Sequence, residues 1–167
     1  MITIDRVSIN APLERVFGVA RDVERWPAIL SHYRWVRFLE RRPSGGVVEM
    51  AAWRSFGRDG APLRWPAWWV SEMTVDPARR EIRYRHVRGI TRGMAVVWRL
   101  RGTEGLEAQR HRGTVGTVEV EIVHTWDGPG WPLIGRAAAA LVIGPVFIHG
   151  IAARTLAGIK RFAEGAL

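Results

Sequence analysis

The sequence has 167 residues, of which 47% are hydrophobic and 25% charged, a balance typical of one soluble globular domain and too apolar for a disordered chain. It contains no cysteine, which excludes disulfides, thiolate metal sites and a cysteine nucleophile. The 25 basic and 16 acidic residues give a net charge of +9, and the nine tryptophans indicate a wide aromatic-lined interior.

The charge pattern argues against nucleic-acid binding. The arginines are scattered singly and in pairs, no run of five or more basic residues occurs, and Lys160 is the only lysine. A basic chain can also dock transiently on an anionic membrane surface, and this partner stays open. Residues 1–6 have no secretory-signal pattern, and the longest uncharged apolar run, 137–148, is shorter than the roughly 20 residues that a bilayer crossing needs. We expect a cytoplasmic protein, and the sequence leaves its oligomeric state open.

The first 31 residues predict one strand and two short helices. Residues 2–9 alternate as a strand does. Asn10-Ala11-Pro12 supplies a helix cap and an early proline, and apolar residues at helical spacing then predict a helix to about Ala20. Asp22 is expected to cap a second short helix, which ends near Ser31.

The middle of the chain consists of short alternating segments separated by Gly, Pro and Asp. The expected strands are residues 33–41, 47–55, 64–75, 81–87, 91–101 and 115–126. Six consecutive strands joined by short turns predict an antiparallel meander. The pattern then becomes helical over residues 132–164, with a bend or break at Gly144-Pro145 because proline removes a helical hydrogen bond.

This element order predicts the fold class. One strand, two short helices, six strands and a long apolar helix make an α+β fold, in which a curved seven-stranded antiparallel sheet wraps around the C-terminal helix and buries it. We expect residues 1–167 to form this single domain.

Alternation along the strands identifies the side chains that face the helix. The inward set is Val48, Met50, Ala52, Arg54, Trp65, Ala67, Trp69, Ser71, Met73, Val75, Ile82, Tyr84, His86, Met94, Val96, Trp98, Leu100, Val118, Val120, Ile122, His124 and Trp126. An apolar wall with few polar groups is typical of a small-molecule site. The side chains expected to bind the ligand are Trp26, Tyr33, Met50, Trp69, Ser71, Met73, His86, Met94, Trp98 and Trp126, with Phe147 or Ile148 from the helix.

The polar side chains of this inner wall are the catalytic candidates. His124 lies near the end of the last strand, where Asp127 three residues later could orient its imidazole. Tyr84 could move a proton, and Arg54 could polarise a carbonyl. Ser71 lacks a nucleophile elbow, so nucleophilic catalysis is not expected. The histidines show no H-x-x-x-H or related spacing, so we expect no metal site, and nothing in the sequence calls for a cofactor.

Local motifs carry a resemblance to a known superfamily. Residues 9–17 read I-N-A-P-L-E-R-V-F, and residues 21–27 read R-D-V-E-R-W-P, with Tyr33 following. Further matches are W-V-S-E at 69–72, Gly93-Met94, Thr155-Leu156 and Ile159-Lys160. Nearly the whole chain resembles the helix-grip superfamily (START-like or SRPBCC) of lipid-transfer, polyketide cyclase/dehydrase and coenzyme-Q-binding-like proteins. The resemblance implies a helix-grip fold and points to the polyketide cyclase/dehydrase-like branch.

One position departs from this resemblance. Aromatase/cyclases of the superfamily have, as the resemblance implies, an arginine at the end of a W-V-S-x-R segment and use it to polarise the polyketide. This chain has Met73 there. Arg54 on the neighbouring strand could replace that arginine.

Three functions follow from these features. The first is binding of a hydrophobic small molecule such as a lipid, a quinone or an aromatic polyketide. The second is a cyclase/dehydratase, in which the pocket folds a poly-β-keto chain while His124, Tyr84 or Arg54 moves protons or polarises a carbonyl. The third is a membrane-surface protein whose positive charge docks the cavity mouth against anionic lipid. The missing arginine and the lack of a clear acid–base pair favour binding over catalysis.

Overall fold

A computed structural model describes residues 1–56, 63–103, 116–128 and 148–165 of the chain. Its seven strands form one antiparallel sheet in the order β1-β7-β6-β5-β4-β3-β2. The strands are β1 (Ile2–Asn10), β2 (Tyr33–Arg42), β3 (Gly45–Phe56), β4 (Leu63–Asp76), β5 (Glu81–Gly89), β6 (Ala95–Thr103) and β7 (Thr117–Thr125). The predicted meander from β2 to β7 is confirmed, and β1 joins it by pairing with β7, its partner far away in the sequence.

The helices lie at the two ends of the described chain. They are α1 (Leu13–Arg21), a 3-10 turn (Val23–Arg25), α2 (Trp26–Ile29) and α3 (His149–Ala163). The predicted caps do not form, since Pro12 precedes α1 and Asp22 makes no side-chain cap hydrogen bond. Helix α3 packs against β1, β3, α1 and α2, so it covers one face of the sheet.

The structure corrects the start of β6. Residues 91–94, expected to begin this strand, instead form a turn that is closed by hydrogen bonds from Arg92 N to Gly89 O and from Met94 N to Thr91 O. The turn uses backbone conformations with positive φ at Gly89 and Gly93, which glycine adopts without steric cost. Strand β6 therefore begins at Ala95.

Burial confirms most of the predicted inward faces. In β7, Val118, Val120, Ile122 and His124 are buried, as alternation requires. Trp65 in β4 is the exception, because 59% of it is exposed. Alternation assigns a side chain to a face of the sheet, but it does not ensure that another element covers that face near the end of a strand.

Several expectations for the terminal helix fall on residues that the structure does not describe. These are the part of the helix from 132 to 147, the bend at Gly144-Pro145 and the contact of Phe147 with the ligand. Within the described ranges, no helix is both long and apolar enough to cross a bilayer.

Candidate functional site

A cavity of about 90 Å³ lies between the sheet and α3. One water needs only about 10–15 Å³ of such space, so the cavity can hold several waters or part of a small organic molecule. Ten of the predicted site residues line it: Trp26, Tyr33, Met50, Trp69, Tyr84, His86, Met94, Trp98, His124 and Ile148.

The cavity also has lining residues that were not among the predicted ligand contacts. They are Ala67, Trp68, Ile90, Thr91, Val96, Ile122, Ile151, Ala152 and Thr155. Alternation had already placed Ala67, Val96 and Ile122 on the inner face. Trp68 and Ile90 are 40% and 45% exposed, so they mark the mouth of the cavity. No sequence signal identified these two, because Trp68 is out of phase with the inward residues of β4.

Four predicted site residues lie outside the described lining of the cavity. Ser71 is fully buried in the sheet, and Met73 lines a separate groove near α1. Trp126 is buried and donates its indole N–H to Arg92 O at 2.9 Å. The guanidinium of Arg54 lies against Gly150 in α3, where a Cβ would stand 2.5 Å from it. Arg54 therefore lies against α3 and is not part of the described cavity wall.

Aromatic rings form much of the wall. The centroid of the Trp26 ring lies 5.1 Å from that of Tyr33, in an edge-on arrangement, and 5.7 Å from that of Trp98. The rings of Trp69 and His86 are stacked, with centroids 6.0 Å apart and an interplanar angle of 14°. Such surfaces suit flat unsaturated ligands, which stack on aromatic faces.

The polar groups on the sheet side of the cavity are neutral at pH 7. The His86 Nδ1 and the Thr91 hydroxyl lie 2.6 Å apart, within hydrogen-bond distance. Burial lowers the pKa of His86 to about 3, with a smaller contribution from the charge of His124. Burial also lowers the pKa of His124 to about 4, with a contribution from His149, while it raises the pKa of Tyr84.

A second polar cluster lies on the helix side. The Thr155 hydroxyl donates to the Ile151 carbonyl at 2.8 Å and therefore accepts from His32 Nε2 at 3.1 Å. The Tyr33 hydroxyl lies 3.4 Å from the same oxygen. Burial and the nearby charge of Arg154 lower the pKa of His32 to about 4, so this cluster is also neutral.

The acid beside His124 is Asp5 and not Asp127, which is exposed at the end of β7. The Nδ1 atom of His124 lies 3.9 Å from Oδ2 of Asp5, which comes from β1 and is only 3% exposed. The pairing of β1 with β7 brings the two residues together, since Thr3 stands opposite His124. In the sequence, Asp5 alternates in step with Val7 and Ile9 on the first strand. This alternation was the available signal that Asp5 faces inward.

Two polar atoms at the cavity have no hydrogen-bond partner among the described residues. They are the hydroxyl of Tyr84 and Nδ1 of His124, and both are buried. A buried polar group without a partner costs about 1–3 kcal/mol, so such groups usually have a role or a missing partner. Across the described part of the chain, no three His, Asp or Glu side chains converge as metal ligands.

Comparison with protein families and with curated proteins identifies relatives of this chain. The family model described as "Polyketide cyclase / dehydrase and lipid transport" matches residues 9–142. A Streptomyces cyaneus protein assigned by name as a polyketide cyclase is 30% identical over 97 residues. That match covers 58% of this chain and 60% of the Streptomyces protein, so it spans less than two thirds of its relative.

Solved structures share the fold at low sequence identity. The match to a protein from Thermus thermophilus has a TM-score of 0.67 at 16% identity and covers 99% of each chain. The Zhui aromatase/cyclase from Streptomyces sp. R1128 has a TM-score of 0.63 at 20% identity, over 97% of this chain and 95% of that one. A START superfamily protein from Mycobacterium smegmatis has a TM-score of 0.62 at 14% identity, over 99% of both chains. These likenesses establish the helix-grip fold.

Proposed function

Because the chain belongs to the polyketide cyclase/dehydrase and lipid transport family, we propose that it binds a neutral aromatic polyketide, or a molecule of similar chemistry, in the cavity. The observation that carries this proposal is the unpartnered hydroxyl of Tyr84, in a residue that lines an apolar space. A ligand with carbonyl or hydroxyl oxygens would accept the hydrogen bond that this hydroxyl lacks.

The chemistry of the wall narrows the ligand class. The histidines on the sheet side have pKa values of about 3 and about 4, so they carry no charge at pH 7. An anionic or cationic group would therefore enter an apolar space without a charged partner on that wall, which is costly. The stacked and edge-on rings favour a flat unsaturated body over a saturated acyl chain. These points support a neutral polycyclic phenol or quinone ahead of a lipid.

A second candidate function is cyclisation or dehydration of a poly-β-keto chain in the same cavity. It is favoured by the position of Tyr84 and His124 on the same inner wall. Tyr84 in β5 stands opposite Val96 in β6, and Val96 stands opposite His124 in β7. A neutral imidazole N–H and a phenol can both donate to the carbonyl and hydroxyl oxygens on which negative charge develops during cyclisation or dehydration. Met73, the residue at the position of the implied arginine, lies outside the cavity lining, so polarisation would fall to Tyr84.

The binding proposal is tested by filling the cavity from the helix side. Ala152 lines the cavity and is buried, whereas its neighbour Ala153 is exposed on the same helix. Quenching of tryptophan fluorescence by emodin, a neutral hydroxyanthraquinone, should be saturable in the wild type. Ala152→Leu should weaken this binding at least about tenfold, and Ala153→Leu should leave it unchanged. Absence of saturable quenching, or equal effects of the two variants, would contradict the proposal.

The enzymatic candidate requires a separate measurement. A synthetic poly-β-keto thioester should be cyclised faster in the presence of the protein than in buffer. His124→Ala should then lower the turnover about 100-fold or more while the affinity for emodin changes by about 1 kcal/mol at most. If the wild type binds emodin but does not accelerate cyclisation, the protein is a carrier.

A further inference from the structure

A buried acid connects the cavity wall to the protein surface. The Asp5 carboxylate is 3% exposed and lies between two imidazoles. On one side its Oδ1 atom is hydrogen-bonded to Nδ1 of His149, the first residue of α3. On the other side its Oδ2 atom faces Nδ1 of His124 at 3.9 Å. Neither of these two facing atoms has a hydrogen-bond partner among the described residues.

The two histidines differ in their contact with solvent. His124 lines the cavity and its side chain is 8% exposed, whereas the side chain of His149 is 62% exposed in a groove between β1 and α3. The three side chains therefore form a continuous row of proton-carrying groups from solvent to the cavity. A movement of about 1 Å would bring His124 and Asp5 to hydrogen-bond distance.

We infer that Asp5 and His149 form a proton relay that serves His124. The inference rests on the proposed function in taking this cavity as the ligand site. Asp5 and His149 act through His124 and do not line the cavity among the described residues, so they are positioning residues.

The transfer can be written with every proton accounted for. In the resting state His124 carries a proton at Nε2, Asp5 carries one at Oδ2, and His149 donates its Nδ1 proton to Oδ1 of Asp5. When the Nε2 proton leaves for a ligand oxygen, the Oδ2 proton of Asp5 moves to Nδ1 of His124. His149 then takes a proton from water at Nε2 and becomes the cationic partner of the Asp5 carboxylate. One proton enters from solvent, one reaches the ligand, and the three side chains together keep their net charge.

The surroundings favour proton sharing over a fixed ion pair at the inner end. Burial raises the pKa of Asp5, and the charge of His149 and its hydrogen bond partly offset this effect. His149 lowers the pKa of His124 from the outer side, and the charge of His124 lowers that of His86 on the cavity side. Arg6, Lys160 and Arg161 line the outer groove with His149, so cations surround its exposed end. A static structural bridge would not need Oδ2 of Asp5 and Nδ1 of His124 to face each other without partners.

The relay predicts the rate at which the ring N–H of His124 exchanges with water. Exchange requires that the imidazole gain or lose a proton, and the relay provides that proton inside the fold. The rate can be measured by ¹⁵N-edited NMR on the ligand-free protein at neutral pH. In Asp5→Asn and His149→Ala the exchange at His124 should slow at least about tenfold. Free imidazole in the buffer should restore the exchange rate in His149→Ala, because the missing side chain lies at the surface, where imidazole can take its place.

His86 provides the internal control in the same spectra. It is as buried as His124, but it is bonded to Thr91 and makes no contact with Asp5 that the structure records. Its exchange should be the same in all variants. Exchange at His124 that is unchanged in both variants would overturn the relay. Faster exchange at both histidines would also overturn it, since that result identifies Asp5 and His149 as purely structural.

This experiment separates the relay from the proposed function. It uses no ligand, so failure of emodin to bind would leave the exchange result intact and would refute only the binding proposal. Normal emodin binding together with unchanged exchange in both variants would refute only the relay. If Asp5→Asn fails to fold, His149→Ala at the exposed end still decides the outcome.

Discussion

Acidification from pH 7 to pH 5 should destabilise the fold through His86 and His124. Both are buried and neutral in the folded protein, with pKa values of about 3 and about 4, against an ordinary value of 6.5 in the unfolded chain. Below pH 6.5 the unfolded chain therefore binds protons that the folded protein does not. The stabilisation is complete above pH 6.5 and is lost as the pH falls toward the folded-state pKa values.

The size of the effect follows from the width of that window. Each group that titrates only in the unfolded chain changes the free energy of unfolding by about 1.4 kcal/mol per pH unit. Between pH 7 and pH 5 each histidine thus removes about 2 kcal/mol, and the two together about 4 kcal/mol. The result depends little on the folded-state values, provided that both stay below about 5. A loss of this size is a large part of the free energy of unfolding of a typical domain, which is roughly 5–15 kcal/mol.

Urea unfolding followed by circular dichroism at pH 7 and pH 5 measures this loss. His86→Gln and His124→Gln each remove one titrating group, so each variant should lose about 2 kcal/mol less than the wild type between these pH values. Asp5, whose pKa is raised, acts in the opposite sense, and His32, whose pKa is lowered to about 4, acts in the same sense as the two histidines. Both residues are present in all three proteins, and His86→Gln, which is remote from Asp5, gives the comparison in which their contributions cancel. Measurements at pH 7 and pH 8.5 form the control, because neither histidine titrates there. Equal losses in the wild type and both variants would refute the reasoning.

Four substitutions test the packing around the site by thermal unfolding. Gly89→Ala should destabilise by more than about 1 kcal/mol, because φ is 98° and the new Cβ would lie 2.5 Å from a backbone carbonyl oxygen of β4. Gly18→Ala in α1 meets open space and should be neutral or stabilising by up to about 1 kcal/mol. Tyr84→Phe removes a hydroxyl without a partner and should keep or raise Tm, whereas Thr155→Val should lower Tm because it leaves His32 Nε2 without its acceptor. Equal effects within either pair would contradict these expectations.

The strands and their inner faces could be predicted from the sequence because both depend on local properties. Turn residues mark where a strand ends, and a period of two assigns alternate side chains to opposite faces. This is why Met50, Trp69, Tyr84, Trp98 and His124 were correctly expected on the cavity wall. The motifs at residues 9–17 and 21–27 were sufficient for the superfamily, because they specify the corner between β1 and the short helices.

The extent of the cavity along each strand was decided only by the tertiary structure. Alternation correctly assigns Ser71 and Met73 to the inner face of the sheet. The position of α3 over the sheet determines which inward side chains line the cavity and which pack against other atoms. Trp68 shows the converse, since it is out of phase with the inward residues yet lies at the mouth. Periodicity contains no information about where a helix crosses a sheet.

The acid beside His124 is the clearest case of a contact that local reasoning could not find. The sequence suggested Asp127 because it is three residues away, whereas the structure places Asp5 there through the pairing of the first and last strands. His149 reaches the same carboxylate from the terminal helix. Strand pairing and helix packing bring together residues that are far apart in the chain, and the free energy that selects such contacts comes from burial over the whole domain.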